Sequence, residues 1–374
     1  MKITHIGSVL LSGAWVLVKV ETDEGITGIG EAYHGAGVHQ IAVDPRLTKS
    51  LIGKDPRNVD RLFHDMMSSM SASGYYQGAV MSAISGIESA LWDVTGQALG
   101  VPIWQLLGGK FRDRIRIYND CHAGDDETPE SYVKTAREVE ARGFTAIKFD
   151  IDPLPSRRDP YNRAISLNDV AHYVDVVTAV REALEPNTDL AIDAHWFYSP
   201  VDILKVAHAF EDLDLLWLED PIPPENVEAM ARVTASTRTP ICTGENFYTR
   251  HGFRELVEKQ AADIISPDLA KAGGLLEGRR ISDLADMYYI PVAPHNIGSP
   301  VETVATCHVM AAVPNFLALE FHHLDLQIWD DLVDGPPLIK DGYIDVPDGP
   351  GLGMTLNEDT VRRDARDNLG FFRD

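Results

Sequence analysis

From Arg114 onward one pattern repeats: a short apolar run closing on a polar residue, then a longer amphipathic stretch. RIRIYND leads into PESYVKTAREVEARG, and FTAIKFD leads, after a polar loop, into a stretch from about Ser166 to Leu184. DLAIDAH, LLWLED, TPICTGE, ADIISPD, YIPVAPH and NFLALEFH follow, separated by further amphipathic stretches. Short apolar runs bounded by turns predict buried parallel strands, and the stretches between them predict crossover helices. Eight such strands are the number that closes a (β/α)8 barrel of the TIM type. Before Arg114 the pattern is different. KITHIGSVL, AWVLVKVETDEG and ITGIGEAY alternate with period two around an Asp-Glu-Gly turn. Residues 55–72 and 76–99 then read as helices, the second closing on Gly100. The expected organisation is an α+β segment over 1–113, a barrel over 114–332 and a Gly/Pro-rich segment over 333–374. That last segment offers no barrel unit and could pack on either neighbour.

Composition narrows the class without naming a chemistry. The 374 residues are 44% hydrophobic and 24% charged, an ordinary globular balance. No apolar run approaches the roughly 18 residues that span a bilayer, and MKITHIGSVLLSG lacks a leader-like core, so a cytoplasmic, non-membrane protein is expected. Cys121, Cys242 and Cys307 are far apart and without a CxxC pairing, which predicts plain buried thiols. The formal charge of −24, with only 11 Lys beside 22 Arg, leaves no basic patch for a nucleic-acid backbone. It would suit high ionic strength, and it does not exclude a small anionic substrate, because a metal and a lysine can reverse the potential locally.

Candidate chemistry sits at the strand ends. Asp193, Glu219 and Glu245 follow one another at intervals of 26 residues, each just past an apolar run. One carboxylate from each of three successive β/α units would converge at one end of the sheet, where only a cation can hold them together. A hard divalent ion, most simply Mg²⁺, is expected. Asp220 should point elsewhere, by alternation. His195 shares the side of Asp193 if the strand continues, and can protonate a leaving group. Asp268 and His295 end the sixth and seventh strands, and a carboxylate on one imidazole nitrogen makes the ring a general base. Lys148 and Asp150 lie two apart on the second strand, suited to a substrate carboxylate and hydroxyls. Glu320 ends the eighth strand, where a protonated acid would serve best. Asn246 could orient a neighbour or the substrate. The loop 151–165, PLPSRRDPYNR, is too long for a plain connector and is expected to shape the pocket.

These residues, with ESALWDVTGQALGVPIWQLLGG in the first segment, resemble the enolase superfamily, mandelate racemase subgroup, and within it the acid-sugar dehydratases like galactonate dehydratase. The use of a Lys or His base with bound Mg²⁺ in that superfamily is a general observation and not a deduction from this chain. The resemblance implies that 1–113 and 333–374 form a capping domain whose early loop, 31–40, closes over the pocket with Tyr33 and His34 as substrate contacts. It implies that His295 abstracts the proton α to a sugar-acid carboxylate and that His195 expels the β-hydroxyl, giving a 2-keto-3-deoxy acid. Galactonate, gluconate, arabinonate and xylonate are the expected substrates, and dimers or octamers the expected assemblies. Racemases of the subgroup carry Lys-x-Lys on the second strand; Asp150 stands at the second position here. Mannonate dehydratases use a Tyr/Arg arrangement that Arg157, Arg158 and Tyr161 could imitate. An acid-sugar epimerase or racemase, a mannonate dehydratase and a catalytically weak binding homologue therefore stay open as alternatives.

Overall fold

The computed structural model describes residues 1–74, 76–121, 128–151, 163–324 and 326–373. Strands β1 (Ile3–Leu11), β2 (Val16–Thr22) and β3 (Thr27–Ala32) form an antiparallel meander, with Gly25 in the left-handed conformation at the turn between β2 and β3. The helix Gly78–Leu99 lies on this sheet and ends at left-handed Gly100. The approach is too close for side chains: a Cβ on Gly30 would stand 2.2 Å from the Gly86 carbonyl oxygen.

The barrel follows. β4 (Arg114–Cys121), β5 (Ala146–Asp150), β6 (Asp189–Asp193), β7 (Trp217–Glu219), β8 (Ile241–Thr243) and β9 (Ile264–Ile265) pair in parallel in sequence order. β10 (Leu319–Phe321) returns to pair with β4. The expected seventh strand is reduced to isolated bridges, Ile265–Val292 and Val292–Phe316. Pro291 and Pro294 flank it and lack the N–H groups a longer ladder requires. Helices lie between successive strands, including Pro129–Ala141 and Leu167–Ala183, the latter opened by a Ser166/Asp169 capping box.

The tail splits its allegiance. β11 (Ile339–Lys340) and β12 (Tyr343–Asp345) extend the barrel sheet at β4, while β13 (Ala365–Leu369) pairs antiparallel with β1. Among the described residues no helix is long and apolar enough to cross a membrane. All three cysteines are buried and free.

Strand periodicity builds the site. Tyr118, Ala146, Ala191, Trp217, Cys242, Ile264, Ala293 and Ala318 form one apolar cluster filling the barrel interior. Two residues further along each strand, the same inward direction is occupied by Asp120, Lys148, Asp193, Glu219, Gly244, Ser266, His295 and Glu320. An apolar plug thus supports a layer that is charged at six of eight positions.

Candidate active site

Lys148 stands at the centre of that charged layer. Its Nζ lies 2.6 Å from Glu320 Oε1, 2.9 Å from Glu219 Oε2, 3.1 Å from Asp193 Oδ2 and 3.3 Å from Asp120 Oδ2. All five side chains are buried. Burial alone would strip the ammonium of its proton, but the charges of Asp120, Glu219 and Glu320 outweigh it and hold the proton far more tightly than usual. For Glu320, expected as a protonated acid, burial would raise the carboxyl, but Lys148 and His295 drive it well below the usual range.

The three carboxylates spaced along the sequence do converge, as parts of two neighbouring groups. Oxygens of Glu219, Asp220 and Glu245 come within 4.8 Å of one another, as do ligand atoms of Asp150, Asp193 and His195. Lys148 touches both Asp193 and Glu219 and so links the groups. Asp220 does not point away as alternation predicts. The strand ends at Glu219 and Asp220 adopts a left-handed φ of 41°, which turns its side chain back toward Glu219 and Glu245. The same device places His195 (φ 41°), whose Nε2 lies 3.6 Å from Asp193 Oδ2 and whose N–H donates to Asp193 Oδ1 at 2.9 Å. Such backbone geometry costs free energy and tends to mark functional positions.

The residues fit a hard cation. Glu219 Oε1 and Asp220 Oδ2 are buried without a hydrogen-bond partner. Burial pushes both carboxyls well up, against the pull of Lys148 on Glu219 and helped by the like charges around them, which is the cost a divalent ion would offset.

His295 faces this group. Its Nδ1 lies 2.7 Å from Asp268 Oδ2, and its Nε2 lies 3.1 Å from Glu245 Oε2. Burial disfavours the imidazolium, but Glu245, Glu320 and the Asp268 hydrogen bond overcome it and raise the ring to about 9. Tyr33 arrives from the first segment, with its ring centroid 6.4 Å from that of His295. His34 stacks on Tyr33 at 4.7 Å, and its Nε2 lies 3.3 Å from the Ile297 carbonyl oxygen. Asn246 is half-buried, with Oδ1 3.4 Å from the Lys271 ammonium. Arg157, Arg158 and Tyr161 lie outside the described residues.

Three neighbours went unpredicted. Asp120 occupies the first-strand place in the charged layer, and the period-two rule applied to RIRIYND would have found it. His322, two residues beyond Glu320, lies 3.0 Å from Asp120 and 3.3 Å from Glu320. Lys271 lies past the sixth strand, 3.5 Å from Glu245 Oε1 and 4.3 Å from the Tyr33 ring centroid. It lies in the tight turn that follows Asp268, for which the sequence carries no spacing signal.

Family models match both parts of the chain: "Mandelate racemase / muconate lactonizing enzyme, N-terminal domain" over residues 6–108 and "Enolase C-terminal domain-like" over 131–360. A D-xylonate dehydratase of Haloferax volcanii is 46% identical over 364 residues, covering 96% of this chain and 88% of that protein. A D-galactonate dehydratase of Variovorax paradoxus is 32% identical, covering 98% and 95%. The crystal structure of a mandelate racemase/muconate lactonizing enzyme-like protein from Rubrobacter xylanophilus superposes with a TM-score of 0.93 at 43% identity, covering 98% of each chain.

Proposed function

Since the chain belongs to the mandelate racemase subgroup of the enolase superfamily, we propose that it is a hydro-lyase that removes water from a five- or six-carbon sugar acid. The dehydratases among its relatives support the reaction class, and the 46% identity to a D-xylonate dehydratase makes D-xylonate the first substrate to test. The observation that carries the reading is the pairing of two histidines around one carboxylate-rich site: His295 on its Asp268 partner, and His195 turned back onto Asp193.

Asp268 holds the imidazole of His295 with Nε2 toward the pocket, where the ring, once it has released its own proton, takes the proton α to the substrate carboxylate. Lys148 limits the negative charge of the mouth. Asp193, Glu219 and Glu245 would hold Mg²⁺, with Asp220 beside them; the bound ion would act as a Lewis acid on the substrate carboxylate. His195 gives a proton to the β-hydroxyl as its C–O bond breaks. Water leaves, and the enol tautomerises to a 2-keto-3-deoxy acid. Tyr33, His34, Asp150 and Asn246 are assigned to substrate hydroxyls. A cytoplasmic homo-oligomer is part of the same reading.

The test is a 2-keto-acid assay over D-xylonate, D-gluconate, D-galactonate and D-arabinonate with Mg²⁺, combined with deuterium exchange at the α-carbon. His295→Asn should abolish exchange, a loss of about 10²- to 10⁴-fold. His195→Asn should reduce dehydration far more than exchange. Exchange that survives His295→Asn removes the base assignment. Exchange without water loss in the wild type would mark an epimerase instead.

A further inference from the structure

Behind the Asp268–His295 pair stands a third carboxyl group, that of Glu302, in the first turn of the helix Pro300–Ala311. Glu302 is buried at 4% exposure, and its side chain packs against the Gly298 backbone so closely that a Cβ there would meet Oε2 at 2.0 Å. Its charged neighbours are both acids. On one side is Glu31 from β3, which accepts from the Ser299 N–H at 2.9 Å, the Ser299 hydroxyl at 2.5 Å and the Glu302 N–H at 3.0 Å. On the other side is Asp268, whose Oδ1 accepts from the Lys271 N–H at 2.9 Å and whose Oδ2 faces His295. Among the described residues, the cations of this region are committed elsewhere: Lys271 pairs with Glu245, and His295 with Asp268 and Glu245.

Two facing carboxylates have only acceptors to offer each other. Glu302 Oε1 is buried with no hydrogen-bond partner, while the carboxyl group lies within hydrogen-bonding reach of Asp268 and of the Ala270 backbone N–H. Both observations are reconciled if one oxygen carries a proton. Asp268 already receives an N–H and faces His295, so it is the better anion. Burial, then the charges of Asp268 and Glu31, favour the neutral form of Glu302 against the hydrogen bond from the Ala270 N–H.

We infer that Glu302 is a neutral carboxylic acid whose hydroxyl donates to Asp268, making it a positioning residue for the His295 base. The proton turns an acid–acid clash into a hydrogen bond. Asp268 is then fixed by donors from the Lys271 backbone and Glu302 while it orients His295. The inference rests on the reading of His295 as the base, and it extends the catalytic pair to the domain seam, because Glu31 and Glu302 meet at the same helix N-terminus.

Two measurements on the full-length protein test it. An infrared difference spectrum, wild type minus Glu302→Gln near neutral pH, should show the C=O stretch of a protonated carboxylic acid that shifts in D₂O. Gln is nearly isosteric and keeps a donor, so Glu302→Gln should hold kcat for α-proton exchange within about threefold of wild type. Glu302→Ala should lower that kcat by about 10- to 100-fold with little change in KM. Absence of the neutral-acid band overturns the inference, as do equal losses in the Gln and Ala variants or full activity in Glu302→Ala. If the wild type exchanges no sugar acid at all, the functional reading fails, while the infrared band still decides whether Glu302 carries the proton.

Discussion

Two groups of buried carboxylates, one at the barrel mouth and one at the seam between the first segment and the barrel, are neutralised differently. At the barrel mouth, Asp120, Asp193, Glu219 and Glu320 surround one ammonium group, Lys148, with no side chain of the five more than 3% exposed. At the seam between the first segment and the barrel, Glu31 and Glu88 have no lysine between them and lie against helix starts instead. Glu88 accepts from the Leu275 N–H at 2.8 Å, the Leu276 N–H at 3.2 Å and the Trp92 indole at 2.7 Å. Glu31 does the same for the helix Pro300–Ala311. Both helices follow barrel strands that supply the catalytic pair, and their N-termini offer free N–H groups and the positive end of a dipole. The mouth therefore gathers its acids on one shared cation, with Glu219 pushed up by burial and left with an unpartnered oxygen that a metal ion could take. The seam keeps its acids half-neutral and uses them to hold two layers in register.

Removal of the central cation separates the two regimes most sharply. Lys148→Met leaves Glu219 without a cationic partner among the described residues and Asp120, Asp193 and Glu320 with histidines alone, and breaking a buried ionic group in this way costs about 3–5 kcal/mol. Activity should fall below detection, and urea unfolding in the absence of divalent ions should show the stability loss. Unchanged stability would mean that the mouth carboxylates are already protonated, like those at the seam.

Divalent ions give the next largest difference. Mg²⁺ at about 100 times its Kd should stabilise the fold by about 2.7 kcal/mol, reversibly on chelation. Asp193→Asn should abolish that gain in a thermal-shift series, whereas Glu88→Gln at the seam should leave it intact. Equal loss in both variants would erase the distinction.

How far each region was legible follows from the same contrast. Asp193, Glu219, Asp268, His295 and Glu320 could be found because strand alternation is local and the β/α unit has a nearly constant length. Asp220 and His195 stretched that rule, since left-handed backbone at the strand ends redirects side chains in a way alternation does not describe. The seam was not legible. Glu31 meets Ser299 across 268 positions of sequence, and Glu88 reads locally as part of the polar stripe of a helix. The seventh strand was legible as an apolar run but not in its extent, because its flanking prolines limit the ladder. Only long-range packing assigns these features.

The smallest effect tests the seam by pH. Burial raises Glu88 from 4.5 to about 7, against the hydrogen bonds from Leu275, Trp92 and Leu276, and burial likewise raises Glu31 to about 7. Between those values the folded chain holds protons that the unfolded chain has already released. Stability from these groups is therefore greatest below about pH 4.5 and is lost as pH rises to about 7. Glu88→Gln cannot titrate, so the stability of the variant relative to wild type should increase across that window, by on the order of 2 kcal/mol after allowance for relaxation and water entry around the buried acid. Urea unfolding of both proteins at several pH values measures the difference directly. A wild-type-minus-variant difference that does not change with pH would show Glu88 ionised throughout, held by the helix N-terminus alone, and the seam would then neutralise its acids by dipole and not by proton.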